Sequence, residues 1–219
     1  MSVYIPPRKN LIKTNLDDPV NLYYWPFPLA PLFKERVRHM LSLMEGDQFD
    51  DLLDVGYGCG IIMPELAKRT RKTVHGIDIH GEMNAVYSSM EKEGIRGKVK
   101  LYQASVLELP FANNSFDGIF SLSVLEHIKD IDKAIAELKR VIKPGRFMYF
   151  GFPRDSILMR LLFIMVLLPG YKEHHPSSQF DILNAIKKND LVIDRIYNYP
   201  FNWGLRSAWL VGVKCHKKA

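Results

Sequence analysis

Leu52–Ile62 reads LLDVGYGCGII. An apolar run leads to an acid, Asp54, and glycines then alternate with other residues at positions 56, 58 and 60. A buried strand that ends in such a turn fits the opening of a doubly wound α/β sheet. In that fold, ligands sit at the carboxyl ends of the strands, where the strand order reverses. Glycine removes the Cβ, so backbone can approach a ligand, and it adopts dihedrals that other residues resist. The turn therefore predicts a nucleotide-like group resting against Gly56, Gly58 and Gly60, although a structural turn or another nucleotide would leave the same mark.

Downstream, strands and helices alternate. IIMPELAKRT (61–70) reads as a helix, with Pro64 tolerated near its start. TVHGIDI (73–79) is a second strand. In EMNAVYSSMEKEG (82–94), Met83, Val86, Tyr87 and Met90 fall at helical spacing and Gly94 supplies the stop. KVKLYQA (98–104) and FDGIFSL (116–122) are a third and a fourth strand. DIDKAIAELKRVIKPG (130–145) carries the stripe Ile131, Ala134, Ile135, Leu138, Val141 and Ile142, and its PG turn leads into a fifth strand, RFMYFGF (146–152). Apolar strands separated by amphipathic helices predict a parallel sheet covered on both faces.

The C-terminal part breaks the alternation. The helix SSQFDILNAIKKND (177–190) is followed by two strands, LVIDRIYNY (191–199) and SAWLVGVKC (207–215). The PFNWGLR between them is too short for a helix, so the two must be antiparallel neighbours. The fold class expected is therefore α/β, a doubly wound, mostly parallel seven-stranded sheet with one reversed strand near its C-terminal edge. Upstream of the glycine turn, LFKERVRHMLSLM (32–44) has helical spacing in Leu32, Val37, Met40, Leu41 and Met44, with Gly46 to stop it. The stretch before it, rich in proline and aromatic residues, reads as an irregular arm. The expected division is an arm with a cap helix over 1–46 and a main domain over 47–219, with an apolar insert at about 154–176.

Composition narrows the class. The 219 residues suffice for one domain with a full core. Two cysteines, Cys59 and Cys215, have no metal-site spacing and are too few for a disulfide framework. They fit a reducing, cytoplasmic setting. MSVYIPPRKN has no apolar core behind its charges, so no signal peptide is expected there. A net charge of +6 permits an acidic partner, but the basic residues are dispersed apart from a short KCHKK. No nucleic-acid partner is expected.

Two further residues bear on the ligand. The dinucleotide fingerprint is G-x-G-x-x-G, whereas this turn is G-x-G-x-G, and Ile61 stands where the fingerprint has its last glycine. Asp54 would sit poorly beside a pyrophosphate and well beside an ammonium group. Asp78 lies at the end of the second strand, eighteen residues beyond Gly60, where its carboxylate can accept from both hydroxyls of a ribose.

Taken together, LLDVGYGCG, VHGIDIHGEM, LPFANNSFDGIFSLSVLEHIKD and ELKRVIKPGRFMYF resemble the class I S-adenosylmethionine-dependent methyltransferases. The likeness is greatest to the subgroup that includes the ubiquinone and menaquinone biosynthesis enzymes and many small-molecule methyltransferases. It spans roughly residues 51–152. The resemblance implies S-adenosyl-L-methionine as cofactor. It implies that Asp54 and the backbone of Gly56, Tyr57, Gly58 and Gly60 hold the methionine end. Asp78 takes the ribose, with Ile79 and Met83 beside the adenosine. The family often places an acid after the third strand to hold the adenine amine. Here that place falls at Ala104 and Ser105, so a serine hydroxyl replaces a charge-assisted bond. Val106 flanks the ring, and Ser121 and Leu122 line the methionine chain.

The same resemblance makes His127, in VLEHI, the candidate base, against a purely structural role at a helix start. His174 and His175 in HHPSS read as a solvated loop pair, and no metal is expected, since no acid cluster accompanies them. Ile157 to Leu168 is apolar apart from Arg160 and too short to span a bilayer. It reads as a lid over an apolar pocket that can touch a membrane surface, with ordinary packing as the alternative; NLYYWPF (21–27) could close the same pocket. The expected function is methyl transfer to a small, apolar or lipid-linked acceptor. An RNA or protein methyltransferase, or a non-catalytic cofactor-binding module, stays open.

Overall fold

The computed structural model describes residues 3–12, 23–24, 29–154, 175–199 and 210–219. Seven strands form one sheet: β1 (Phe49–Val55), β2 (Thr70–Asp78), β3 (Val99–Gln103), β4 (Phe116–Leu122), β5 (Ile142–Pro153), β6 (Val192–Tyr199) and β7 (Leu210–His216). Their order across the sheet is β3-β2-β1-β4-β5-β7-β6. The first five run parallel, and β7 runs antiparallel to both β5 and β6. The reversed strand is thus second from the edge, as the short link before it requires. The strand order reverses between β1 and β4, which makes their carboxyl ends the ligand-binding crevice of the fold.

Among the described residues, five α-helices flank the sheet: α1 (Leu29–Ser42), α2 (Met63–Arg69), α3 (Met83–Lys92), α4 (Ile131–Val141) and α5 (Gln179–Lys188). The strands read as apolar throughout because both faces are covered. On β1, Leu52 joins one core with Val37, Met63 and Val86, while Leu53 joins the other with Ile135, Leu138 and Ile182. Full burial of each such side chain contributes about 1.5–3 kcal/mol. Helix α4 is held at its start by Asp130, whose carboxylate accepts from Lys133 N–H at 3.2 Å. Helix α5 begins with a reciprocal capping box between Ser178 and Asp181.

Strand β5 starts earlier than the sequence suggests. Ile142 pairs with Phe116, and the register then jumps so that Gly118 faces Phe147. The PG turn, with Gly145 at φ +69°, is an irregularity within the strand and not a separate turn before it. The arm is fastened to α2 and α3. Tyr4 N–H donates to Glu65 at 3.1 Å, the Tyr4 hydroxyl to Glu93 at 2.8 Å, and Asn10 to Glu93 at 2.7 Å. Of NLYYWPF only Tyr23 and Tyr24 are described: the Tyr23 hydroxyl accepts from Arg36 at 3.2 Å, and the Tyr24 hydroxyl donates to Pro6 O. The apolar segment 157–168 and His174 lie outside the described residues. Among the described residues, no helix is long and apolar enough to cross a membrane.

Candidate active site

The carboxyl ends of four consecutive strands set the site. Val55 at the end of β1 pairs with Ile77 of β2 on one side and Ser121 of β4 on the other, and Asp78 pairs with Gln103 of β3. The glycine turn rises from this line. Gly56, Gly58 and Gly60 have φ of +77°, +50° and +77°, the left-handed region that glycine enters without strain. Gly56 also sits against Val124, where an added Cβ would lie 2.2 Å from Val124 Cγ2. The turn is pinned by Gly56 N–H donating to Ile77 O at 2.8 Å and Gly60 N–H donating to Tyr57 O at 2.8 Å.

Asp78 is fixed by the turn it faces. Its Oδ2 accepts from Gly58 N–H at 2.9 Å, and its Oδ1 accepts from Ile79 N–H at 2.7 Å and His80 N–H at 3.3 Å. Charge-assisted bonds from backbone amides orient the carboxylate. A carboxylate has about four acceptor sites, so capacity remains for a hydroxyl donor. The glycine turn and the acid, separate motifs in the sequence, are therefore one hydrogen-bonded unit.

His80 completes the unit, and the sequence reading passed over it. Its Nε2 donates to Gly58 O at 3.0 Å while its Nδ1 accepts from Glu82 N–H at 3.1 Å, which assigns the Nε2–H tautomer. It is buried, and the Tyr57 ring packs edge-on against it at 4.9 Å. The one available signal was its place two residues after Asp78. The Tyr57 side chain packs in the core beside Gly76.

Asp54 is 5% exposed. Burial first, and the neighbouring charge of Asp78 second, push its carboxyl up to about 8. A buried carboxylate is costly unless it takes up a proton or meets a cation. Ser121 Oγ is also buried with no hydrogen-bond partner among the described residues. These two groups fit the ammonium-bearing end of an amino acid better than a phosphate.

At the other end of the line, Ala104 N–H donates to Asp78 O at 2.8 Å, and Val106 is buried. Ser105 Oγ accepts from Leu107 N–H at 3.2 Å, which leaves its own hydroxyl hydrogen to donate. Ile79 is 62% exposed, an uncommon state for a large apolar side chain beside a site. Met83 and Leu122 pack onto the core around the line.

His127 lies in the short helical turn after β4, and its surroundings differ from the sequence expectation. His175 comes from the loop before α5, and the two rings stand 4.8 Å apart, tilted by 37°. Glu126, 3% exposed, joins them. Burial pushes its carboxyl up to about 8, opposed by its own backbone amide, the charge of Arg36 and the nearby Ser123 hydroxyl. The histidines thus do have an acid beside them, supplied by the residue before His127. Ser177 ties the two segments together through N–H to Glu126 O at 3.2 Å and Oγ–H to Ile128 O at 2.6 Å.

Residues 53–150 match the model of the family described as "Methyltransferase domain". The match covers 98 of the 219 residues. It runs from the middle of β1 to β5 and so contains the glycine turn, both acids and the turn after β4. The methyltransferase GfsG of Streptomyces halstedii is 28% identical over 148 residues, covering 65% of this chain and 53% of that protein. A sterol 24-C-methyltransferase of Pneumocystis carinii is 31% identical over 160 residues, covering 72% of this chain and 39% of that protein. The chain spans about half or less of the length of these curated relatives. Among solved structures, a geranyl diphosphate methyltransferase in complex with S-adenosylmethionine superposes with a TM-score of 0.70 at 15% identity, over 86% of this chain and 87% of that one. That likeness shows the shared class I methyltransferase fold.

Proposed function

We propose that the protein transfers a methyl group from S-adenosyl-L-methionine to a small, apolar acceptor. The observation that carries the reading is the hydrogen-bonded unit of glycine turn and Asp78, with the buried Asp54 at the adjacent strand end, inside a stretch that matches the methyltransferase-domain model. In this reading the Asp54 carboxylate and the turn's backbone take the amino-acid end, and Ser121 Oγ gives the orphaned hydroxyl a partner. Asp78 accepts the ribose hydroxyls. Ile79, Met83 and Val106 contact the adenosine, and Ser105 donates to the adenine.

When bound, the cofactor supplies an activated methyl group on its sulfonium. The chain's own task is to hold an acceptor atom in line with the S–CH3 bond and to keep water out. An acceptor whose nucleophile carries a proton needs a group to take it, and the turn after β4 presents His127 for this. The sterol methyltransferase relative supports an apolar acceptor. The lid expected of 157–168 belongs to the same reading and predicts contact with a membrane surface.

The test is transfer of labelled methyl from S-adenosylmethionine, with sterols, prenyl diphosphates and quinols in one set of reactions and RNA or protein in another. The expected result is label in the organic extract with matching formation of S-adenosylhomocysteine. Label found only in RNA or protein would overturn the acceptor class. Binding without transfer to any acceptor would support a non-catalytic module instead.

A further inference from the structure

Glu126, His127 and His175 each offer one ligand atom, and these three atoms lie within 4.8 Å of one another. Two imidazoles and one carboxylate form a donor set that suits divalent transition ions and leaves coordination positions open. Ligands about 2.1 Å from a tetrahedral ion stand roughly 3.4 Å apart, so the side chains need to close by at most about 1.4 Å from the observed spread. The backbone already fixes the three carriers. His127 N–H donates to Val124 O at 2.9 Å, and Ser177, two residues after His175, bonds to both Glu126 O and Ile128 O.

A second observation points to a ligand. Glu126 is 3% exposed, and its Oε2 is buried with no hydrogen-bond partner among the described residues. A buried carboxylate oxygen left unpartnered is a costly feature in a fold that satisfies most of its polar groups. A bound cation would resolve it. Dispersed surface histidines would not share such a neighbour.

We infer that Glu126, His127 and His175 form a binding site for one divalent transition-metal ion of the zinc class, at the acceptor end of the methyltransferase crevice. The site does not depend on which acceptor is methylated, nor on whether transfer occurs. With the ion bound His127 is a ligand, so the proton-taking role proposed above is open to it only without the ion, and three protein ligands leave coordination positions open. An acceptor oxygen entering one of them would be polarised by the ion.

The test uses the full chain, stripped with chelator and titrated with zinc chloride in a calorimeter. The expected result is one site per chain, weakened at least a hundredfold by Glu126→Gln and by His175→Ala. His216→Ala is the control for adventitious binding near the C-terminus, where His216 pairs with Asp194, and it should leave the affinity unchanged. Cobalt(II) should give visible absorption bands of a site with nitrogen and oxygen ligands, and the same variants should lose them. Zinc at a hundred times its Kd should raise the melting temperature of the parent by roughly 5–10 °C. Glu126→Gln keeps the volume of the buried side chain, so it serves if His175→Ala fails to fold. Absence of a stoichiometric site in the parent overturns the inference, as does equal zinc affinity in parent and Glu126→Gln.

Discussion

Asp54 makes the proposed cofactor site sensitive to pH in a defined direction. Its carboxyl is pushed from an ordinary 3.8 up to about 8 in the unliganded chain, by burial and then by Asp78. Between those values the folded chain holds a proton that the unfolded chain has lost. Stability therefore falls as pH rises through this window, by up to about 1.4 kcal/mol per unit from this group, and levels off above pH 8. Over the whole window the ionised carboxylate costs the unliganded fold on the order of 5 kcal/mol. An ammonium group at this place pairs with the ionised form. Affinity for S-adenosylhomocysteine should then rise about tenfold per pH unit from pH 6 toward pH 8 and flatten above. Calorimetry at pH 6.5 in two buffers of different ionisation enthalpy should show release of nearly one proton on binding. Asp54→Asn should remove the release, bind more weakly at pH 8, and melt higher than the parent at pH 8 without ligand. Equal affinity of the parent at pH 6 and pH 8, with no proton release, would refute the pairing of Asp54 with a cation.

Asp78→Ala should weaken cofactor binding by about 2–4 kcal/mol, because charge-assisted bonds to a ribose are lost together with the anchor of Gly58 N–H; equilibrium dialysis checks this. Gly56→Ala places a Cβ 2.2 Å from Val124 Cγ2 at φ +77° and should cost about 2–4 kcal/mol of stability in denaturant titration. Leu138→Ala, fully buried in the core on the α4 face, should cost about 2–5 kcal/mol of stability while leaving cofactor affinity within about twofold, because the site lies on other elements.

Local chemistry made most of the fold legible. The Gly46 and Gly94 stops and the short link before β7 each act over a few residues, and each marked an element in the sequence. The irregular start of β5 was not legible, because Ile142 belongs at once to the apolar stripe of α4 and to a pairing with Phe116 that only the assembled sheet supplies. The candidate site divides the same way. Asp54, the glycines and Asp78 stood out because their positions within strand–turn units are fixed by short segments. His80 did not, since its role is to bond Gly58 O, 22 residues away. The trio at Glu126 was hidden for a similar reason. His175 reaches His127 only because Ser177 ties the loop before α5 to the turn after β4.

Calorimetric titration of the full chain with S-adenosylhomocysteine, S-adenosylmethionine and NAD at pH 8 tests the central claim most directly. The arrangement of Asp54, the G-x-G-x-G turn and Asp78 predicts one site for either sulfur ligand and much weaker binding of NAD. Tighter binding of NAD than of both would contradict it.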